Sequence, residues 1–563
     1  MKELIAEILQ KSLKEKKVEI EKEKIINLLE IPPSTEMGDY AFPCFSLINE
    51  LKEEPHQIAI ELRARIGNPP TDFEDIQTVG PYINFFINHR EQISGFLKDV
   101  LKKREKFGKS NLGKRKTIVV EFSSPNIAKS FGIGHIRSTI IGNSIANLHE
   151  FQGFTTKKIN YLGDWGSQFG QLIFGYKKFG NSKEFKKDPL GHLQKIYVKV
   201  NKNKKYLEES KEEFKKLEEG NRENLALWRK FKELSSLEFK KIYNLFGIKF
   251  DEISSESETN KYLEKILKEL KEKKLSRKSK GALVVHLKKY GLETAIIKKS
   301  DGTSIYCLRD IAEAIRRYKK YGFNKMIYEV GQEQNMHFKQ VFKILELMGN
   351  EWAKNCIHVG HGFYIGKDRK KFSTRKGKTA DLNELIKITE EYAKKEILKR
   401  FPELKKEELK ERVLKVSLAS IFYADLKNNR ETDILFDPKK FVSFKGNTGP
   451  YILYSYARAS SILKKAKTKD KFSVPEKLED KEKDLFKSLT EFPTVALKAC
   501  ENYNPSIIAN YIYSLCKIFN EFYHSCPVIG SKKEPFRLAL IESFRQVLRN
   551  ACNLLEIKLL EKM

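Results

Sequence analysis

The stretch that most restricts how this chain folds runs from Glu121 to Asn143, EFSSPNIAKSFGIGHIRSTIIGN. Just before it, Thr117 to Val120 is a short β-branched run of the kind that forms a buried strand. Ser123, Ser124, Pro125 and Asn126 are loop formers, Gly132 and Gly134 bracket Ile133, and His135 follows. From Ile136 the pattern turns helical and continues to about Leu148. The unit predicted is strand, glycine-bearing loop, helix, and its physical meaning is anion binding. A helix start offers unpaired N–H groups and the positive end of a dipole, and glycines let a phosphate come close to the backbone. His135 at that mouth can donate to a phosphate oxygen, and Lys129 can neutralise charge that develops along a phosphate chain. A G-x-G-H fragment is also what a tight turn into a core helix looks like, so the rest of the chain has to decide.

With 563 residues there is room for about three to four domains. A composition of 40% apolar and 11% aromatic residues excludes a disordered chain. The net charge of +32, from 107 basic and 75 acidic residues, points to a polyanionic partner, most simply nucleic acid. The competing account is a lysine bias that decorates solvated helix faces, as Lys14 to Lys17 would. Seven cysteines without a C-x-x-C pair argue for a reducing compartment and against a disulfide framework or thiolate zinc site. No apolar run reaches spanning length. The N-terminus is rich in Glu as well as Lys and has no signal-peptide core, so a cytoplasmic location and no membrane association are expected.

Residues 1 to about 110 read as a separate α+β module. Leu4, Ile5, Ile8, Leu9 and Leu13 mark an amphipathic first helix, helical pattern returns at His56 to Ile66, and Gly80 to Asn88 alternates like a strand. A basic linker, Lys106 to Lys116, leads into the second domain. Lys157 to Leu162 is a second strand, followed by Gly163-Asp-Trp-Gly-Ser-Gln-Phe-Gly170. Strand, helix, strand makes half of a parallel α/β sheet, with its ligand at the carboxyl ends of the strands. Asp164 and Gln168 are candidates beside that ligand, a structural turn around Trp165 being the other reading. From about 182 to 280 dense Lys and Glu at helical spacing predict a helical insertion, with Trp228, Phe231, Leu234, Leu237 and Phe239 packing one side. Asp301-Gly302 predicts a hairpin between Ile296-Ile297 and Ile305-Tyr306. Tyr306 and Asp310 then share a helix face, and Lys325 to Val330 is another strand. His358-Val-Gly-His361 belongs to the last strand and its exit, and lacks the third ligand a metal site needs. From about Asp381 the text is helical to Leu559.

Taken in order, these phrases resemble the class I aminoacyl-tRNA synthetases, and specifically the arginyl-tRNA synthetases, over nearly the whole chain. The family writes SSPN, a hydrophobic residue and AK before its HIGH-type tetrapeptide, which here is Gly132-Ile133-Gly134-His135, with Gly132 in place of the usual first His. The fold implied is multidomain α/β. A Rossmann-like catalytic domain (111–380, helical insertion about 182–280) lies between an N-terminal α+β tRNA-binding module (1–110) and a C-terminal all-α anticodon-binding bundle (381–563). The resemblance surrounds the amino acid with Glu121, Asn126, Tyr306, Asp310 and Gln334. That suits the substrate, since a guanidinium is a planar fork of donors that calls for carboxylates in matching geometry. Lys371-Phe-Ser-Thr-Arg-Lys-Gly377 resembles the second class I signature, KMSKS, and assigns Ser373, Thr374, Arg375 and Lys376 to ATP together with Gly134 and His135. Its catalytic Lys position is Thr374 here, and arginyl enzymes with that loss carry instead the upstream lysine, Lys129 in this chain. Lys129, Gly132, Gly134 and His135 are thus the catalytic set. The phrases GDYAFPCF and GPYINFFIN resemble the family's tRNA-contacting N-terminal domain and single out Tyr82 and Asn84. GNTGPY, at Gly446 to Tyr451, resembles the entry to its anticodon-binding bundle, where Tyr451, Tyr454, Tyr523 and Met563 are candidates for anticodon contact.

The activity implied is ATP-dependent ligation of L-arginine to the 3′ end of tRNA(Arg) through an arginyl-adenylate, releasing AMP and pyrophosphate. Mg²⁺ would arrive with ATP, no tightly bound cofactor or metal is expected, activation would require bound tRNA, and the chain would act as a monomer. Two other readings stay open: a tRNA-binding protein that has lost activation, suggested by Gly132, and a small-molecule nucleotidyltransferase with the same signature.

Overall fold

The computed structural model describes residues 1–299, 306–366, 382–435, 446–467 and 471–563, and the chain sorts into two units. The first comprises residues 1–104, 466–486 and 525–543. Its antiparallel sheet, in the order β1-β3-β2, contains β1 (Tyr40–Pro43), β2 (Phe73–Val79) and β3 (Tyr82–Ile87). Helices α1 (Lys2–Glu15), α2 (Lys22–Leu28), α3 (Ile48–Leu51) and α4 (Pro55–Ile66) accompany it. Ile5, Leu9 and Leu13 recur every four residues on α1, so one stripe of that helix meets Ile58 and Leu62 of α4 and Phe42, Phe73 and Phe85 of the sheet in a single core. Helix α5 (His89–Lys103) starts at Asn88, whose side chain accepts the Glu91 N–H at 3.1 Å. It ties in the later segments: Phe96 meets Phe486 edge-on at 5.3 Å and Arg90 donates to the Val474 carbonyl at 3.2 Å. Such pairings, more than 380 residues apart, leave no mark in a local sequence pattern.

The second unit, residues 105–465, 487–524 and 544–563, is built on a five-stranded parallel sheet. The apolar run TIVVE is β4 (Thr117–Glu121), followed by α6 (Ile133–Phe151) and β5 (Thr155–Leu162). Helices α7 (Ser167–Phe179), α8 (Ser182–Lys187), α9 (Pro189–Asn201), α10 (Lys204–Glu218) and α11 (Arg222–Phe246) come next, and β6 (Glu252–Ser255) then returns to pair with β5. After α12 (Glu256–Glu272), a small antiparallel sheet holds β7 (Ser276–Ser279), β8 (Ala282–Val285) and β9 (Ala295–Lys298). Helix α13 (Tyr306–Tyr321), β10 (Lys325–Gly331), α14 (Asn335–Leu347) and β11 (Cys356–His361) complete the sheet in the order β11-β10-β4-β5-β6. The chain builds outward from β4 to β6 and then crosses to β10, so the order reverses between β4 and β10, where such sheets open their ligand crevice.

Three expectations change. The stretch 182–280 is not all helical insertion, because β6 within it is the edge strand of the main sheet. On α11, Phe231 and Phe239 are buried but Leu237 is half exposed, lying well around the helix from Phe231. Tyr306 opens α13, as the helix face it shares with Asp310 requires, and β9 pairs with β8, while the Asp301-Gly302 turn lies outside the described residues. Beyond α15 (Leu382–Arg400) and α16 (Lys406–Leu426), β12 (Tyr364–Ile365) and β13 (Ile434–Leu435) form a two-residue parallel pair, so the region after 381 is not wholly helical. Helices Gly449–Lys465, Phe492–Glu501 and Ser506–Ser525 follow. No described helix is long and apolar enough to cross a membrane.

Candidate active site

Leaving β4, the backbone takes positive φ at three residues that are not glycine: Ser123 (73°), Ser124 (42°) and Ala128 (60°). Such conformations persist only where surroundings over-determine them. Here α6 and α11 do so. Ser138 Oγ accepts the Ser123 N–H at 3.0 Å, and Thr139 Oγ1 donates to Ser123 Oγ at 2.8 Å. From α11, Tyr243 Oη lies 2.8 Å from Ser123 Oγ, and Ser235 Oγ accepts the Ala128 N–H at 2.8 Å. On the other side, Ile127 N–H donates to the Gly163 carbonyl at 3.1 Å and Gly163 N–H to that of Pro125 at 3.2 Å. A Cβ at Gly163 would stand 2.1 Å from Asn126 Oδ1, so only glycine allows this approach. The helical insertion thus serves the site structurally, since its last helix holds the loop that presents Asn126.

Gly132 is the N-cap of α6, and its N–H donates to His135 Nδ1 at 3.1 Å. Since Nδ1 accepts, a neutral His135 carries its proton on Nε2. Burial lowers the His135 pKa to about 4, with Lys129 and His361 adding, so the ring is a neutral donor at pH 7. Gly134 borders open space among the described residues, with none of their atoms beyond its own helix turn within 4 Å of where its Cβ would be. Lys129 Nζ donates to Gln168 Oε1 at 3.2 Å and lies 5.1 Å from the Tyr197 ring. Gln168 Nε2 reaches Asn126 Oδ1 at 3.4 Å, which links the lysine to the loop. Asp164, by contrast, is fully buried and accepts from Lys232 and Ser257, a structural role.

These elements surround a cleft of about 820 Å³ at the carboxyl ends of the strands. Of the residues singled out in the sequence, Glu121, Asn126, Gly134, His135, Tyr306, Asp310 and Gln334 line it together. Lys129 and Gly132 lie next to it, joined to its walls by the bonds just described. Ser373, Thr374, Arg375 and Lys376 lie outside the described residues. The cleft also holds Tyr161, Glu256, His337 and His361, which the sequence did not single out as site residues. Its carboxylates differ in their partners. Arg317 Nη1 donates to Glu121 Oε2, and His337 Nε2 sits 2.6 Å from Asp310 Oδ2. Glu329, beneath the cleft, meets His361 at 2.7 Å and Ser138 at 2.6 Å. Glu256, the first residue of α12, is 7% exposed, and among the described residues it accepts only the Trp165 N–H, at 3.2 Å, and makes no salt bridge. Burial pushes its carboxyl up to about 8; Arg309 opposes the rise while Asp310 and Asp164 add to it. A buried carboxylate in a cleft wall that makes no salt bridge with any described cation, Arg309 acting on it only from a distance, favours a ligand that brings one. The signal that would have found it is the position directly after β6, hidden because EISS is too short and polar to read as a strand.

Away from the cleft, Tyr454 and Tyr523, both over a third exposed, flank the Arg458 guanidinium at 4.7 and 4.4 Å. Asn520 joins Arg458 to Tyr451, whose hydroxyl accepts from Asn520 at 3.0 Å. The three tyrosines singled out in the sequence are therefore one cluster, with Arg458 and Asn520 added. Met563 is part-exposed. In the first unit Tyr82 is half-buried against exposed Phe45, edge-on at 5.7 Å. Asn84 is only 4% exposed in the central strand, so the base contact expected of it is not offered at this surface.

A helix head suited to phosphate and an acidic wall suited to a cation, on one doubly wound sheet, are what a class I aminoacyl-tRNA synthetase needs for its nucleotide and its amino acid. Comparison with known proteins narrows this. The chain matches the family models described as tRNA synthetases class I (R), catalytic domain, over residues 96–438, as Arginyl tRNA synthetase N terminal domain over 1–87, and as DALR anticodon binding domain over 452–563. It is 42% identical to the arginine–tRNA ligase of Clostridium perfringens over 556 residues, covering 97% of this chain and 98% of the relative. It is also 42% identical to that of Clostridium botulinum over 570 residues, with 100% of both chains covered. Among solved structures, the arginyl-tRNA synthetase of Plasmodium falciparum superposes with a TM-score of 0.73 at 27% identity, over 99% of this chain and 98% of that one. That of Thermus thermophilus gives 0.75 at 23%, over 100% of both, a likeness of fold. The chain belongs to the arginyl-tRNA synthetase family. Its reaction is the ATP-dependent ligation of arginine to tRNA through an arginyl-adenylate.

Proposed function

We propose that the cleft binds arginine with its guanidinium toward Asp310 and Glu256 and its carboxylate toward the head of α6. Asn126, Tyr306 and Gln334 complete the amino-acid site, together with Glu121. The observation that supports this best is Glu256, buried in the cleft wall without a salt bridge among the described residues. ATP lies with its phosphates at Gly134 and His135, Mg²⁺ entering with it as part of the substrate, and Ser373, Thr374, Arg375 and Lys376 are assigned to ATP by their likeness to the KMSKS signature. The arginine carboxylate attacks the α-phosphorus in line and pyrophosphate leaves. No protein nucleophile is needed, so the enzyme supplies position and charge. His135 donates its Nε2 proton as a hydrogen bond to a phosphoryl oxygen, and Lys129 offsets the charge that builds there. Gly132 takes no side-chain part and acts through its N–H, which fixes the His135 ring. A ribose hydroxyl of the terminal adenosine of tRNA(Arg) then attacks the adenylate carbonyl and AMP leaves.

Tyr82 serves the N-terminal module's contact with tRNA, and Tyr451, Tyr454 and Tyr523, with Met563, meet the anticodon, Arg458 stacking among them. The division into residues 1–110, 111–380 and 381–563, the need for tRNA in activation, action as a monomer and a cytoplasmic location complete the proposal. Its test is arginine kinetics of Asp310→Asn and Glu256→Gln. Each is expected to raise the KM for arginine about 10- to 100-fold, the range of a lost charge-assisted bond, while the KM for ATP stays within about twofold. Equal loss for both substrates would place these carboxylates elsewhere in the reaction.

A further inference from the structure

Arg317, on α13, is fully buried, and among the described residues two of its three guanidinium nitrogens have hydrogen-bond partners while Nη2 has none. Its Nη1 donates to Glu121 Oε2 and its Nε to Glu313 Oε1 at 2.9 Å, and the Tyr161 and Tyr328 rings lie 5.2 and 5.8 Å from its guanidinium carbon. Glu121 in turn lines the cleft, and among the described residues its other oxygen, Oε1, has only the Ser124 hydroxyl, a long contact at 3.4 Å. A guanidinium pairs best with a carboxylate through two parallel N–H bonds, one to each oxygen. At Glu121 a resident guanidinium already holds one of the two. The oxygen left over suits a single-point donor such as an ammonium group.

We infer that Arg317 is a positioning residue that makes Glu121 a one-oxygen acceptor, so that the α-ammonium of arginine, and not its guanidinium, docks there. The consequence is orientation. Arginine carries two cations and the cleft several carboxylates; a molecule bound end for end would turn its carboxylate away from the head of α6 and form no adenylate. Burial raises the Glu121 pKa, and Arg317 is the strongest group opposing that rise, so the same contact favours the charged acceptor. The inference rests on the reading that Glu121 touches the substrate.

The experiment is a mutant cycle in the full-length enzyme with Glu121→Gln, Arg317→Met, the double variant and Arg317→Lys. It follows the KM for L-arginine in tRNA charging and inhibition by 5-guanidinopentanoate, which is arginine without its α-amino group. Glu121→Gln and Arg317→Met are each expected to raise the KM about 10- to 100-fold. The double variant should be no worse than Glu121→Gln alone, because both act through one contact, and Arg317→Lys should recover part of the loss. Removing the α-amino group should weaken binding to the wild type but scarcely to Glu121→Gln. Filter binding of the tRNA(Arg) transcript at wild-type strength checks the fold, and if Arg317→Met does not fold, Arg317→Lys carries the cycle. An Arg317 effect as large in the Glu121→Gln background as in the wild type overturns the inference while leaving Glu121 in the site. A Glu121→Gln enzyme with unchanged KM overturns the reading of Glu121 and the inference with it.

Discussion

Glu256 fixes how the site answers to pH. Its carboxyl titrates near 8 in the folded chain against an ordinary value of 4.5. An unfolded chain gives up that proton above about 4.5, and the folded one keeps it until about 8. Its contribution to stability is therefore whole below the lower value and lost as pH rises through the higher one. Arginine favours the ionised form, so binding below about pH 8 expels a proton. The KM for arginine is expected to fall as pH rises from about 6.5 to 8, by at most about tenfold per unit, and then to level off; in Glu256→Gln that slope should vanish. A wild-type KM flat over the range would remove Glu256 from the binding equilibrium. Gly134 makes a second case. It lies in the first turn of α6 beside open cleft space, so Gly134→Ala adds a methyl group where the phosphates are proposed to lie and meets no atom of the other described residues. Alanine in a helix is favoured over glycine by about 0.8–1.0 kcal/mol. The variant should melt no lower than the wild type yet have a KM for ATP raised about tenfold, the loss expected when a close backbone approach is blocked; lowered melting with an unchanged KM would make Gly134 a structural glycine only.

At the scale of elements, the loop from Ser123 to Ala128 depends on a helix more than 100 residues downstream. Ser235→Ala would leave the Ala128 N–H buried without its partner, a cost of about 1–3 kcal/mol. The expected result is a fall in the arginylation rate with tRNA affinity unchanged; a rate equal to wild type would show that the loop holds its shape without α11. This dependence also marks the limit of what a sequence discloses. Strands β4, β5 and β10 and helix α6 were legible because their apolar runs and periodicity are strong, and with them came Glu121, Gly134 and His135; Asn126 entered through the family resemblance, and Asp310 through that resemblance and its place in the α/β pattern. The edge strand β6 was not, since Ser254 and Ser255 are buried through side-chain hydrogen bonds and not through apolarity. Losing β6 stretched the insertion too far and hid Glu256 behind it. Helix α13 was legible from Tyr306 onward, and its Cys307, Leu308 and Ile311 fill a core with α12 and α14.

For the whole molecule, the charge of +32 and the Tyr454–Arg458–Tyr523 cluster suit a large RNA partner, and the cleft supplies the chemistry to be done on it. A chain that only held tRNA would bind it in a salt-dependent way and do nothing with ATP. The departure at Gly132 bears on that choice, because the family's usual imidazole is absent there. The geometry gives a reason for it to be tolerated: the Gly132 N–H fixes the His135 ring, which leaves the Nε2 proton for the phosphate contact proposed above. The most direct test is ATP-dependent charging of a tRNA(Arg) transcript with L-arginine, run beside arginine-dependent pyrophosphate exchange with and without that tRNA. Charged tRNA, and exchange only when tRNA is present, is the result predicted. Tight, salt-sensitive tRNA binding with no charging and no exchange would contradict it.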